Sequence, residues 1–248
     1  MPRYARTKSK TGIYHIMVRG INKQIIFRED KDKYFFLRLL ADCKEETNFR
    51  LYAYCIMDNH VHLAIKDENN ALAVTMKNIN VTYAKYFNKK YERVGHLFQN
   101  RFGSQNIEND EYFLNLLRYV HKNPIVAGMV KKLDDYQWSS FKEYMGQSVE
   151  VGLTDVDFAL KFFSKEREKA IKAFRAYCEM PETRAFLDVN EHEEKKRIGK
   201  LMWRKMYQQK IKRREIMEYL LATMGLSIRE IAEITDINWM KVARILKK

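Results

Sequence analysis

Residues 50–66 constrain the fold of this chain more than any other stretch. They read RLYAYCIMDNHVHLAIK, two runs rich in alternating apolar and aromatic residues parted by Asp58 and Asn59. Asp and Asn tolerate tight turns, while aromatic and β-branched residues favour extended chain. Residues 50–57 and 60–66 are therefore predicted as two antiparallel strands joined at Asp58-Asn59. In the second strand His60 and His62 flank Val61. Side chains i and i+2 of a strand share one face about 6.5–7 Å apart. Both imidazoles can thus reach one metal ion while Val61 anchors the strand in the core behind them. Alone, such a pair is more often structural; a downstream segment gives it weight.

That segment is residues 110–124, DEYFLNLLRYVHKNP. Phe113, Leu116, Leu117 and Val120 recur at helical spacing, with Asp110 as the expected N-cap and Pro124 as the expected stop. Tyr119 and Asn123, four apart, project from nearly one side of such a helix, about 40° apart. One turn therefore offers a nucleophilic hydroxyl and an amide oxygen suited to be a third, hard metal ligand. His121 lies about 200° round from Tyr119 and is not assigned as a general base.

Residues 12–19 alternate as a strand. Asp30 to Thr47 reads as a helix capped by Asp30, with Phe35, Leu39, Leu40 and Cys43 as its apolar stripe. Asn70 is expected to cap a second helix, in which Leu72, Met76, Ile79, Tyr83 and Tyr86 recur at steps of three and four. Residues 102–107 form a further strand. The order β-α-β-β-α-β-α is that of an α+β ferredoxin-like sandwich: one antiparallel sheet with helices packed on one face. The His pair then falls on a central strand, toward which the tyrosine helix must cross.

Beyond Gly146 the pattern is helical throughout. A boundary at 148/149 separates a domain of residues 1–148 from a helical domain of residues 149–248. Between Asn190 and Thr223, the runs Lys195–Arg197 and Lys210–Arg214 read as solvated helix face. Gly225 reads as a helix stop, and Ser227-Ile228-Arg229-Glu230 as a capping box opening a short helix with Ile228, Ile231 and Ala232 inward. A second helix, Trp239–Lys248, carries Lys241, Arg244, Lys247 and Lys248. The two resemble a helix-turn-helix over residues 226–248, a candidate contact to duplex DNA. A helical hairpin used for dimerisation is the alternative, and monomer and homodimer both stay open.

Charge agrees with a nucleic-acid partner: 46 Lys and Arg against 32 Asp and Glu give a net +14. Such a surface binds phosphate backbones by releasing condensed counterions. Lys66, Lys77, Lys85, Arg101 and Arg118 are the cations nearest the two motif segments and are candidate phosphate contacts. Fifteen Tyr and fourteen Phe supply the core and candidate base-stacking platforms. Tyr34, Phe35, Tyr86 and Phe87, at helix-period positions, are assigned to the core. Cys43, Cys55 and Cys178 lack metal-like spacing and fit reduced thiols. With no apolar signal region and no membrane-spanning run, the expectation is a cytoplasmic protein with a basic, solvated N-terminal arm.

Six blocks in one order carry a more specific resemblance, covering roughly residues 4–146. They are Gly12–Gly20 (GIYHIMVRG), Met57–Leu63 (MDNHVHL), Tyr83–Asn88 (YAKYFN), Gly95–Phe102 (GHLFQNRF), Leu117–Met129 (LRYVHKNPIVAGM) and Trp138–Tyr144 (WSSFKEY). Together they resemble the REP-associated tyrosine transposases, single-tyrosine members of the HUH group. The resemblance implies His60 and His62 as the metal-binding pair, Tyr119 as the nucleophile and Asn123 as the third ligand. It also implies single-stranded DNA, folded as a hairpin, as substrate. Asp58 stands where the family usually has proline, and Ile125-Val126 lacks the arginine common after Asn-Pro; both departures bear on DNA contacts.

The expected activity is that of a single-strand DNA endonuclease and strand transferase working through a 5′-phosphotyrosine. Its mixed nitrogen and oxygen ligands suit Mg²⁺, with Mn²⁺ better matched to imidazole. The alternatives are a catalytically silent DNA-binding regulator using the C-terminal helices, and a different metal-dependent hydrolase. The latter needs carboxylate ligands, for which Asp58 and Asp67 are the local candidates.

Overall fold

The 50–66 hairpin forms as its alternation requires. Strands β2 (Arg50–Ile56) and β3 (His60–Lys66) pair antiparallel, and the Met57 N–H closes the turn on the His60 carbonyl at 2.8 Å. This computed structural model describes residues 7–147, 152–180, 191–209 and 211–247, with backbone alone at 191–198, 201 and 247. β1 (Ile13–Arg19) pairs antiparallel with β3 on one side and with β4 (Gly103–Ile107) on the other. The sheet order β2-β3-β1-β4 is that of the expected ferredoxin-like sandwich, with the histidine strand central.

Three long helices join and cover these strands: α1 (Asp30–Thr47), α2 (Leu72–Lys90) and α3 (Asp110–Val126). Residues of both parities are buried along β2 and β3, so helices cover both faces of the sheet, not one as expected. α3 lies on the His60/His62 face, and the paired α1 and α2 shield the other. Each helix starts one residue from its expected cap or by a different group. Glu29 is the N-cap of α1, and the Asn109 side chain caps α3 by accepting the Tyr112 N–H. The Asp67 carboxylate, four residues before α2, accepts the Ala71 and Leu72 N–H groups in place of an Asn70 cap. The buried stripe of α1 is Phe36, Leu37, Leu40 and Cys43; Phe35 and Leu39 are only half-buried, as are Tyr34 and Tyr86. Asp32, fully buried, accepts hydrogen bonds from Lys90, Tyr86 and Tyr91 and fastens the start of α1 to the end of α2.

Pro124 does not stop α3, which runs on to Val126. Proline's fixed φ is compatible with a helix; what it removes is one N–H, here the donor to the Val120 carbonyl. The helix ends where Gly128 adopts φ +70°.

The chain forms two compact units, Met1–Phe186 and Leu187–Lys248. The boundary expected at 148/149 thus falls inside the first unit. Short helices α4 (Phe141–Tyr144) and α5 (Val156–Leu160), and α6 (Arg167–Glu179), pack on α3 and β2. Leu160, Phe174 and Cys178 are buried in the same core as the sheet, which is why the helical pattern beyond Gly146 does not mark a domain edge.

The second unit comprises α7 (Glu191–Gln208), α8 (Arg213–Ala222), α9 (Ile228–Thr235) and α10 (Trp239–Lys247) around Ile216, Met217, Leu220, Leu226, Ile231, Ile234 and Val242. A Cβ on Gly199 would meet Leu226 at 2.9 Å and Ile234 at 3.0 Å, so glycine lets α7 approach α9 closely. The Ser227/Glu230 capping box is formed, and Gly225 stops α8 with φ +66°. Asp236, with φ 56°, begins the short turn between α9 and α10.

A chain ending after residue 186 should keep the folded circular-dichroism signature. One ending after residue 150 loses Leu160, Phe174 and Cys178, each large apolar side chain contributing about 1.5–3 kcal/mol by burial. Its melting temperature should fall by about 10 °C or more; equal melting of the two chains would show that α5 and α6 are dispensable.

Candidate active site

Strand register decides which polar groups meet on the α3 side of the sheet. His60 and His62 share that face, and pairing with β1 sets Arg19 opposite His60, Met17 opposite His62 and His15 opposite Ala64. The His15 and His62 rings stack with centroids 5.2 Å apart, and His15 Nε2 lies 3.0 Å from His62 Nδ1. The His60 ring stands nearly perpendicular to that of His62 at 4.9 Å. α3 crosses this face and sets Tyr119 edge-on against two imidazoles, 5.4 Å from His62 and 5.6 Å from His15. Asn123 is buried one turn on, its Nδ2 donating to the Tyr119 carbonyl at 2.9 Å, which leaves Oδ1 as the atom it offers.

The hydrogen bonds fix the state of His60. Asn59 donates Nδ2 to the Lys23 carbonyl at 3.2 Å, so its Oδ1 faces His60 Nδ1 at 2.5 Å and accepts the ring proton. The lone pair of His60 is left on Nε2. His62 Nε2 is buried and has no hydrogen-bond partner among the described residues. Burial lowers the pKa of His15 and of His60 to about 4, and the Arg19 charge adds to the effect at His60. Burial also holds His62 well below its ordinary value, with the neighbouring His60, His15 and Arg19 acting in the same direction.

Neutral imidazoles with open lone pairs are what a cation requires. The residues present therefore fit a divalent ion held by His60, His62 and the Asn123 amide oxygen. They do not offer a carboxylate-rich centre: among the described residues no three His, Cys, Asp or Glu side chains cluster as metal ligands. Asp58 instead pairs with Lys33 at 2.9 Å, and Asp67 is spent on the cap of α2.

Comparison with known proteins bears on the sequence and the fold. Residues 8–123 match the family described as IS200-like transposases. The match covers a little under half of the chain, and in that part the chain is similar to the family. The matched segment runs from before β1 to Asn123 and so contains every residue of the site. A protein of Haemophilus influenzae named as a REP-associated tyrosine transposase is 28% identical over 153 residues, spanning 57% of this chain and 86% of that one. A solved structure of a REP-associated tyrosine transposase bound to a REP hairpin superposes with a TM-score of 0.50 at 22% identity. It covers 63% of this chain and 90% of the other, and it shares the fold. The six-block resemblance to REP-associated tyrosine transposases thus holds.

The candidate phosphate contacts fare unequally. Lys77 and Arg101 converge on one groove of about 600 Å³, lined also by Asn80, His96, Phe98 and Gln99 and, among the described residues, by no carboxylate. The Gln99 N–H donates to the Arg19 carbonyl at 2.9 Å, so the groove begins beside the strand end that carries Arg19 and His60. Lys85 is exposed on α2. Lys66 sits at the far end of β3 and pairs with Glu68 at 3.1 Å. Arg118 is buried: it donates to Asn115 at 2.5 Å and lies over the Tyr177 ring at 4.6 Å, an internal tie between α3 and α6 and not a phosphate contact. Lys241 and Arg244 are exposed on α10; the Lys247 side chain and Lys248 lie outside the described residues. Arg19 and His15 were missed because an alternating strand does not announce which partner its residues will face.

His121, as expected, faces away from Tyr119. It is buried among Phe141, Tyr144 and Phe174 with Nε2 2.7 Å from Ser140 Oγ, and burial lowers its pKa to about 3. An unfolded histidine takes its proton near pH 6.5, so the unfolded state binds more protons in the window between. Stability is full above about pH 6.5 and declines as pH falls toward 3. His121→Asn should flatten the fall in unfolding free energy by up to about 1.4 kcal/mol per pH unit between pH 5.5 and 4, read from urea unfolding. An unchanged slope would contradict the neutral state of this ring.

Proposed function

We propose that this protein is a transposase that cuts and rejoins single-stranded, hairpin-forming DNA through a covalent bond between Tyr119 and a 5′-phosphate. The observation carrying the reading is the placement of the Tyr119 ring against His62, which sets a phenol beside neutral imidazoles on the face of a central strand. The names of the similar proteins, one of them bound to a REP hairpin, suggest the substrate class.

In the reaction, Tyr119 Oη bonds to phosphorus as the bond to the leaving 3′-oxygen breaks. The phenol gives up its proton and the departing 3′-oxygen gains one, leaving a 5′-phosphotyrosine and a free 3′-OH. A phenol with an ordinary pKa near 10 is a weak nucleophile at neutral pH. A bound Mg²⁺ or Mn²⁺, held by His60, His62 and Asn123, would supply the charge stabilisation at the phosphate and leaving oxygens that lowers the barrier. The covalent link retains the energy of the broken phosphodiester, so a second 3′-OH can displace the tyrosine without ATP. Arg19 adds positive charge beside His60, and the Lys77/Arg101 groove offers the flanking strand a path that no carboxylate lines among the described residues.

A second reading, a regulator that binds duplex DNA without cutting it, draws on α9 and α10. Trp239 and Met240 are exposed at the start of α10, where a recognition helix meets base edges, and Lys241 and Arg244 follow. Among the described residues no helix is long and apolar enough to cross a membrane.

Incubation of the full chain with a hairpin-bearing single strand and Mg²⁺, followed by a denaturing gel, separates the readings: a protein–DNA adduct supports cleavage, and its absence supports the silent regulator. Tyr119→Phe should abolish the adduct while hairpin affinity stays within about threefold. His60→Ala and His62→Ala should each remove metal-dependent cleavage, and Asn123→Ala should weaken it less. Undiminished adduct in Tyr119→Phe would move the nucleophile elsewhere. Replacing both Lys77 and Arg101 by alanine should lower the slope of log affinity against log salt by about 1.4, the value for two phosphate contacts to a single strand. An unchanged slope would take the strand out of this groove.

A further inference from the structure

The buried histidine on β1 has no part in the reaction as drawn so far, yet it meets His62 of the proposed metal site directly. His15 is about as buried as His62, and its Nε2 meets His62 Nδ1 at 3.0 Å with the rings stacked. Gln105 of β4 lies opposite His15 in the register, with its side chain near enough to act on the imidazole. Gln105 in turn donates through Nε2 to the Tyr112 hydroxyl in the first turn of α3. Four side chains from four elements thus lie in a row: Tyr112, Gln105, His15 and His62.

The direction of the hydrogen bonds follows from elementary bookkeeping. A neutral imidazole has one N–H and one lone pair. If His62 offers its Nε2 lone pair to a cation, its proton sits on Nδ1 and must be donated to His15 Nε2. His15 then carries its own proton on Nδ1, and the acceptor available to it is Gln105 Oε1, because Gln105 Nε2 is committed to Tyr112. Each step has one consistent assignment, and all of them leave the His62 lone pair facing the site.

We propose that His15, backed by Gln105, is a positioning residue that holds His62 in the tautomer and ring orientation able to bind the divalent cation. Partners of this kind, donor or acceptor to the far nitrogen of a ligating imidazole, raise metal affinity by about 10–100-fold. The row also ties the first turn of α3 to the metal ligand, so docking of the tyrosine helix and preparation of His62 are parts of one arrangement. The inference rests on the reading of His62 as a cation ligand, and its test must be able to fail separately.

The test uses the full chain and Mn²⁺ as the probe, with free Mn²⁺ followed by electron paramagnetic resonance during titration. His62→Ala should lose the site; if it binds Mn²⁺ as tightly as the unaltered chain, the metal reading falls and this inference with it. With that control in place, His15→Phe, which keeps a ring and removes both nitrogens, should weaken Mn²⁺ binding about 10–100-fold. His15→Gln, which can still accept from His62 Nδ1, should recover most of the loss, and Gln105→Leu should show a smaller weakening. Unchanged affinity in His15→Phe, or equal losses in His15→Phe and His15→Gln, would overturn the proposal while leaving His62 a ligand. An independent readout needs no variant: imidazole ¹⁵N shifts of the metal-free chain should show His62 protonated at Nδ1. A proton on Nε2 would overturn the proposal even if His15→Phe failed to fold.

Discussion

Antiparallel pairing of β1 with β3 governs this structure, because it alone decides which side chains of two otherwise ordinary strands face the same space. Side chains alternate between faces, so a slip of one residue would exchange every one of them. The register pairs Met17 with His62 and Arg19 with His60, and it leaves Ile16 and Val18 buried on the opposite face with Val61 and Leu63. A shifted β1 would carry His15 and Arg19 into that apolar layer and set Ile16 or Val18 against the imidazoles. Burying an unpaired ring nitrogen or a guanidinium among apolar groups costs several kcal/mol, so the apolar face holds the polar face in register. The site is therefore a by-product of core packing on the far side of the sheet.

Local signals were legible in the sequence where local physics decides. The strand hairpin, the extent of α1, the Ser227/Glu230 box and the helical phase joining Tyr119 to Asn123 follow from neighbours a few residues apart. Errors arose where a distant group intervened. Asp67 reaches over Asn70 to cap α2, and Tyr177 on α6 draws the Arg118 guanidinium inward. Leu160 and Phe174 look like the opening of a helical domain until the core they complete is seen. Of the site, the sequence showed His60, His62, Tyr119 and Asn123 as candidates. It hid His15, Arg19 and Gln105, whose relevance exists only through register.

Buried imidazoles at the centre of a sheet would be a liability in most folds. Here the stacking and hydrogen bonding of His15 with His62, with Asn59 anchoring His60 from the turn, satisfy much of the polarity. A carboxylate in that position would hold a histidine proton and compete with a cation for the ring. The carboxylate whose charge reaches His60, that of Asp58, is paired with Lys33 at 2.9 Å, which leaves the capacity of the imidazoles for a metal intact.

Pro124 gives the end of α3 an uncommon construction. The missing N–H removes a rung of the helix ladder between Val120 and residue 124, one step past Tyr119. Asn123 lays its own amide on the Tyr119 carbonyl at 2.9 Å and so splints the turn that the proline weakens. The side chain proposed to offer its oxygen to a cation is thus also a brace on the backbone of the proposed nucleophile, using its nitrogen for one task and its oxygen for the other. Only an amide can serve both ends at once: aspartate lacks the donor, and alanine lacks both. Asparagine at this position is therefore a mechanical part as much as a chemical one, and the aim of the phenol depends on it.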